Sequence, residues 1–117
     1  MNLIDQHCAS IEKGAPPLAE PEEDKYLREL VEWRLVREGP HRLAKEIKFA
    51  AYLDGADFVE KVASLSDQEQ HHPDIHLYYK RVAIELYTHA VGGLSINDFI
   101  LASKIDRVTH QLPSSGQ

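Results

Sequence analysis

The stretch PDIHLYYKRVAIELYTH, residues 73–89, decides how the rest of the chain can fold. Apolar residues occupy every second position on either side of Lys80 and Arg81, which is the period of a β-strand with one buried face. We therefore predict a β-hairpin that turns at Lys80-Arg81. In this register the apolar residues of one face pair with each other: Ile75 with Leu86, Leu77 with Ile84, and Tyr79 with Val82.

The same register has a consequence for three histidines. Extended by three pairs beyond Ile75 and Leu86, it places His72 directly opposite His89 on the polar side of the sheet. His71 lies at the junction between the preceding helix and the hairpin, so we expect its side chain nearby. The hairpin thus predicts that three imidazoles converge. Alone, a His-His pair more often belongs to a surface or an interface than to a catalytic site.

A metal site made of the same three histidines is the less favoured interpretation. Imidazole is a ligand that zinc accepts, but two adjacent residues, His71 and His72, are awkward ligands for one ion. The sequence also lacks a supporting cysteine pair or an HExxH spacing. We therefore predict no metal.

Two strands and a helix precede the hairpin. Pro21 and the acids after it suit the first turn of a helix, whose apolar stripe would include Leu27, Leu30 and Val31. Alternation of apolar and polar residues then predicts strands around residues 34–37 and 43–49, joined across Gly39-Pro40.

Two further helices complete the fold. Asp54 is a candidate N-cap for a helix that runs to about Gln70, and Ser95-x-x-Asp98 has the spacing of a capping box. The predicted order is α-β-β-α-β-β-α, an α+β fold whose four-stranded antiparallel sheet carries its helices on one face. Residues 1–21 are predicted to be an irregular N-terminal lead-in, 22–112 a single domain, and 113–117 a frayed tail.

Composition narrows the classes of function. The chain has 117 residues and a formal net charge of −6, so it lacks the basic surface that phosphate contacts with nucleic acid need. Its single cysteine, Cys8, suits a reducing compartment, and we expect an inert thiol in a loose segment. We find neither a membrane-spanning apolar run nor a clear secretory signal, and predict a cytoplasmic protein without direct nucleic-acid or membrane contacts.

A seven-position pattern with fixed gaps goes further than any of these features. Its residues are Asp67, His71, His72, Pro73, Tyr79, His89 and Asp98. This pattern resembles the signature of the pterin-4a-carbinolamine dehydratases, and the likeness extends to the IKF strand and to GLSINDFILASKID near the C-terminus.

The resemblance implies an enzyme, a hydro-lyase that removes water from a 4a-hydroxytetrahydropterin to give the quinonoid dihydropterin. This reaction recycles the pterin cofactor of aromatic amino-acid hydroxylases, and the family uses neither a metal nor a redox cofactor. A histidine can act as acid or base near neutral pH, and the family pattern implies catalytic roles for His71, His72 and His89. The predicted substrate-binding residues are Asp67, Gln70, Pro73, Thr88 and Asp98.

Several expectations stay open. The resemblance implies a homodimer or homotetramer, and Asp98 could instead serve only to cap the last helix with Ser95. Lys80 and Tyr87 depart from the family pattern, and a phenol at Tyr87 could narrow the pocket or change which pterin fits. The alternative function is a non-catalytic interaction or assembly factor with a protein partner, as in relatives that act as transcription-factor dimerisation cofactors or carboxysomal Rubisco assembly factors.

Overall fold

The computed structural model describes residues 2–112 and has the predicted order of elements. The predicted tail, 113–117, lies outside the described residues. Short 3-10 turns at Leu3–Asp5 and His89–Val91 add to the predicted elements. The helices and strands are α1 (Glu20–Leu27), β1 (Arg34–Val36), β2 (Arg42–Lys48), α2 (Tyr52–Glu69), β3 (Asp74–Leu77), β4 (Arg81–Leu86) and α3 (Ile96–His110).

The four strands form one antiparallel sheet in the order β1-β2-β4-β3. The central pair places Leu43 of β2 beside Leu86 of β4. Helices α2 and α3 pack together on the face that carries these residues, which confirms the predicted α+β class. The apolar side chains with no exposed surface come from the N-terminus, the sheet, α2, α3 and the loop before α3: Leu3, Leu43, Phe58, Val62, Val82, Leu86, Leu94, Phe99, Leu101, Ala102 and Ile105.

A glycine sets how closely α2 approaches the sheet. Gly55 is buried, and a Cβ atom at this position would lie 3.2 Å from Cδ1 of Leu77 and 3.5 Å from Cγ2 of Val82. The missing side chain therefore lets the helix backbone lie directly over the hairpin. This close contact holds the first turns of α2 against β3 and β4.

The predicted hairpin exists, but its register was wrong by two residues. Ile75 lies opposite Ile84, and Leu77 lies opposite Val82. The turn is Tyr79-Lys80, closed by a 2.8 Å hydrogen bond from the Tyr78 N–H to the Arg81 carbonyl. A shift of two residues keeps every side chain on its predicted face, because strand side chains alternate with a period of two.

Arg81 is the first residue of β4 and does not belong to the turn. Its guanidinium lies 3.9 Å from the centre of the Tyr78 ring, and its Nε lies 3.6 Å from a carboxylate oxygen of Glu46 on β2. Both contacts are made from the strand, where Arg81 pairs with Lys48 of β2. The predicted pair of His72 with His89 was therefore wrong: β3 begins only at Asp74, and β4 ends at Leu86.

Two helix boundaries also differ from the prediction. Helix α1 ends at Leu27, so Leu30 and Val31 lie beyond it, and Val31 is exposed. Helix α2 begins at Tyr52 with Ala51 as its N-cap, and Asp54 lies inside the first turn. A carboxylate there still favours the helix, because it faces the positive end of the helix dipole.

The lead-in before α1 is largely irregular but packed onto the body of the protein. Leu3 is fully enclosed in the core, and backbone hydrogen bonds join Gly14 to Ala90 and Leu18 to Leu94. Its residues thus make specific contacts, and the boundary of the domain at residue 22 stays a prediction. Within residues 2–112, no helix is both long and apolar enough to cross a membrane.

Candidate functional site

His71 and Asp98 meet between the end of α2 and the start of α3. His71 follows Gln70, the C-cap of α2, which adopts the left-handed conformation at φ 53°. The backbone N–H of His71 donates to the Ser66 carbonyl at 3.2 Å. The chain thereby turns the imidazole towards α3. Nε2 of His71 lies 2.6 Å from Oδ1 of Asp98, which is a strong hydrogen bond by its length.

The carboxylate of Asp98 is fully buried and hydrogen-bonded on both oxygens. Oδ2 accepts from the Thr88 hydroxyl at 2.8 Å and from the Ser95 N–H at 2.9 Å. Oδ1 is left for His71. The predicted capping box of Ser95 and Asp98 is confirmed, and the same carboxylate that caps α3 also binds the imidazole.

The contact with Asp98 selects one tautomer of the neutral His71 ring. An ionised carboxylate has no proton to donate, so the ring nitrogen beside it, Nε2, carries the hydrogen. In the neutral ring Nδ1 then holds a lone pair that can accept a proton. The side chain of His71 keeps 12% of its surface exposed, so the imidazole is oriented by a buried group without being closed off.

His72 lies in a different environment. Its Nε2 is 2.9 Å from Oδ1 of Asp67, and both side chains are exposed. Gln70 donates from its side-chain amide to the Asp67 carbonyl at 2.7 Å. Asp67, Gln70 and His72 therefore form a small polar group on the surface at the end of α2, with Pro73 directly before β3.

His89 has a third partner. The hydroxyl of Tyr87 lies 2.6 Å from Nε2 of His89, and the two ring centres are 4.6 Å apart. His89 is exposed and begins the 3-10 turn that follows β4. The residue that departs from the family pattern, Tyr87, thus contacts one of the predicted catalytic groups directly.

The predicted residues therefore fall into three groups. His71, Thr88 and Asp98 are joined by hydrogen bonds, His72 contacts Asp67, and His89 contacts Tyr87. Among residues 2–112, no hydrogen bond joins any two of the three histidines, and no set of three His, Cys, Asp or Glu side chains could hold a metal ion. A hollow shared by the three imidazoles stays a prediction.

Sequence reasoning missed Glu69, which lies two residues before His71 and is only 8% exposed. Burial raises the pKa of Glu69, but the Cys8 N–H, His7 and Lys104 outweigh that effect, so the pKa lies below its ordinary value. The signal was present in the sequence. Phe58 and Val62 lie on the buried side of α2, and Glu69 falls on the same side one heptad after Val62.

A cleft of about 450 Å³ lies away from these histidines, between β2 and the end of α3. Lys45 and Asp106 line it, and their side chains form a 2.9 Å ion pair. None of the predicted site residues lines this cleft.

Comparison with known proteins relates this geometry to a family. The sequence profile of the family described as pterin 4 alpha carbinolamine dehydratase matches residues 16–108. A Rickettsia bellii protein named "Putative pterin-4-alpha-carbinolamine dehydratase" is 42% identical over 105 residues, which are 90% of this chain and 92% of the relative. A protein of the same name from Chlorobium luteolum is 39% identical over 106 residues, 90% of this chain and 93% of the relative.

Solved structures agree with the fold. A Brucella melitensis protein described as a transcriptional coactivator/pterin dehydratase superimposes with a TM-score of 0.73 at 27% identity, covering 79% of this chain and 97% of that one. A pterin dehydratase-like protein described as a RuBisCO assembly factor in the alpha-carboxysome gives 0.57 at 23% identity, covering 68% and 92%. At that identity the second likeness concerns the fold alone.

Proposed function

Because the chain belongs to the pterin 4 alpha carbinolamine dehydratase family, we propose that it dehydrates a 4a-hydroxytetrahydropterin to the quinonoid dihydropterin. The proposal assigns it to the hydro-lyases and to the recycling of the pterin cofactor of aromatic amino-acid hydroxylases. The observation that carries it is the imidazole of His71, oriented by the buried carboxylate of Asp98 at 2.6 Å.

Two proton transfers define what the residues must do. N5 of the pterin loses a proton, and the oxygen on C4a gains one so that the C–O bond breaks and water leaves. His71, with Nε2 held by Asp98 and Nδ1 free to accept, is proposed as the base at N5. His89 is proposed as the acid at the 4a oxygen, and each transfer contributes about 10²–10⁴-fold.

The remaining predicted residues take supporting roles in the proposal. Asp67, Gln70, His72 and Pro73 are proposed to contact the substrate, because the polar groups among them are exposed beside His71. Thr88 is proposed to act through Asp98, since the two are hydrogen-bonded and both side chains are buried.

The experiment follows formation of the quinonoid product from freshly generated carbinolamine, with and without the purified protein. We expect acceleration by the wild type, a loss of more than about 100-fold in His71→Ala and in His89→Ala, and a smaller loss in His72→Ala. The matched control is His76→Ala, an exposed histidine of β3 that stacks on Tyr78. No acceleration by the wild type would overturn the proposal, and so would full activity in a His71→Ala, His89→Ala double variant.

A second candidate function rests on the Brucella relative, whose description names a coactivator as well as a dehydratase. In this alternative the chain binds a protein partner and does not turn over pterin. A stoichiometric partner recovered by pull-down, together with no pterin binding by calorimetry, would favour it over the enzyme.

We also propose that the chain is cytoplasmic and that it associates with further copies of itself. The strand β3 forms one edge of the sheet, so its outer backbone groups are available for pairing with another chain. We expect a homodimer or homotetramer, which light scattering of the purified protein at several concentrations would measure. A monomer at every concentration would contradict this part.

A further inference from the structure

A segment that precedes the matched family profile packs against both elements that supply the His71–Asp98 pair. The profile begins at residue 16. Residues 3–9, which we name the N-terminal strap, lie before it. Leu3 at one end of the strap is fully enclosed in the core, and the carbonyl of Ile4 accepts from Nζ of Lys104 at 2.9 Å.

The strap binds the end of α2 through Glu69. Oε1 of Glu69 accepts the backbone N–H of Cys8 at 2.8 Å, and Oε2 lies 2.7 Å from Nδ1 of His7. Glu69 is the last residue of the helix and lies two residues before His71. The strap therefore binds the end of α2, next to the turn that directs the imidazole of His71 towards Asp98.

The next strap residue binds the start of α3 through Asn97. The side-chain amide of Asn97 accepts from the Ala9 N–H at 3.1 Å and donates to the Ala9 carbonyl at 2.7 Å. Such a two-way amide pair fixes orientation as well as distance. Asn97 is only 6% exposed and directly precedes Asp98.

Two consecutive strap residues, Cys8 and Ala9, thus connect the two elements whose separation sets the His71–Asp98 distance. We propose that the N-terminal strap is a positioning element that holds the imidazole of His71 at hydrogen-bonding distance from the carboxylate of Asp98. Its effect on turnover rests on the proposed dehydratase function, whereas its effect on the imidazole geometry does not. Small displacements of a positioned group can lower a rate by about 10²-fold, so a loosened strap should reduce turnover without removing any reacting group.

The test removes the contacts of the strap with α2 and with α3, one at a time. Glu69→Ala removes the anchor on α2, and Asn97→Ala removes the anchor on α3. Glu69→Gln is the conservative variant, because its amide oxygen can still accept the Cys8 N–H. Asp57→Ala is the matched control, since Asp57 lies on α2 in an exposed ion pair with Lys61.

Two readouts separate positioning from simple stabilisation. The first is the proton resonance of the His71 Nε2–H, assigned by its absence in His71→Ala, and the second is kcat measured separately from KM. We expect both strap variants to lose or broaden the resonance and to lower kcat about 10- to 100-fold with little change in KM. Glu69→Gln and Asp57→Ala should behave like the wild type.

A milder variant keeps the test decisive if the alanine variants fail to fold. Asn97→Asp retains an acceptor for the Ala9 N–H, faces the Ala9 carbonyl with a carboxylate instead of an amide donor, and places an acid in the first turn of α3, which favours the helix. We expect it to fold and still to broaden the resonance. A wild-type resonance and kcat in Asn97→Asp, or in folded alanine variants, would show that the strap only stabilises the fold and would overturn the proposal. If the wild type has no dehydratase activity, the proposed function fails and the resonance alone decides the role of the strap.

Discussion

His71 and Asp98 lie 27 residues apart in the sequence, yet their side chains meet at 2.6 Å, Nε2 against Oδ1. One partner is fully buried and the other is slightly exposed. A buried acceptor that orients a partly exposed imidazole is the arrangement by which a histidine is held ready for proton transfer.

The first prediction concerns the charge of Asp98. In Asp98→Asn an NH₂ donor replaces one accepting oxygen, so either the His71 ring moves its hydrogen from Nε2 to Nδ1 or a buried donor loses its acceptor. We expect a loss of about 1–3 kcal/mol in the free energy of unfolding, and a fall in kcat of about 100-fold because Nδ1 of His71 is no longer held ready to accept a proton. Urea denaturation and the dehydration assay measure the two effects.

The control for this variant is Asp67→Asn, which changes an exposed carboxylate beside His72 in the same way. Its unfolding free energy should stay within about 0.5 kcal/mol of the wild type. Equal stability losses in the two variants would contradict the special role of the buried carboxylate.

The second prediction concerns Tyr87, whose hydroxyl lies 2.6 Å from Nε2 of His89. A substrate that engages this nitrogen must first displace the phenol, at a cost of about 0.5–1.5 kcal/mol. Tyr87→Phe keeps the ring and removes the hydroxyl, so kcat/KM should rise about two- to tenfold. Tyr78→Phe is the control, because its ring packs against Arg81 away from His89. A fall in kcat/KM would instead show that the hydroxyl assists the reaction.

The third prediction concerns pH. The pKa of Glu69 lies below its ordinary value of 4.5, because hydrogen bonds and charge from Cys8, His7 and Lys104 outweigh the effect of burial. A lowered pKa stabilises the folded state above pH 4.5, and this contribution is lost as the pH falls through the lower value. Glu69→Gln cannot titrate, so its unfolding midpoint should fall less than that of the wild type on acidification.

Thermal unfolding between about pH 6 and about pH 3 measures this difference. Asp57→Asn serves as the control and should follow the wild-type profile, since Asp57 is exposed. Parallel profiles for wild type and Glu69→Gln would show that Glu69 is not tied to the strap in solution.

The fourth prediction concerns the thiol of Cys8. Burial and the nearby charge of Glu69 raise its pKa from 9.0 to about 12, which lowers the thiolate fraction about a thousandfold. Since the thiolate is the reactive form, iodoacetamide should alkylate the native protein at pH 8 at least about 100-fold more slowly than the urea-unfolded chain. Glu69→Gln should speed alkylation of the native protein. Equal rates for native and unfolded wild type would mean that the strap is open in solution.

Much of the fold was readable in the sequence because hydrophobic alternation and helical spacing are local signals. Neighbours within a few residues predict the order of the elements, the burial of Ile84 and Leu86 on one face of β4, and the capping box at Ser95. The family signature likewise depends only on spacing along the chain. The spacing did not show which side chain each histidine contacts.

Tertiary structure decided the register of the hairpin and the partners of the histidines. Alternation has a period of two, so a shift of two residues leaves the pattern unchanged, and the position of the turn is seen only in the pairing of β4 with β3 and β2. Cys8 reaches Glu69 across 61 residues, and Ala9 reaches Asn97 across 88. Bonds over such separations form only where the packed helices bring their ends together, because no local pattern in the chain specifies them.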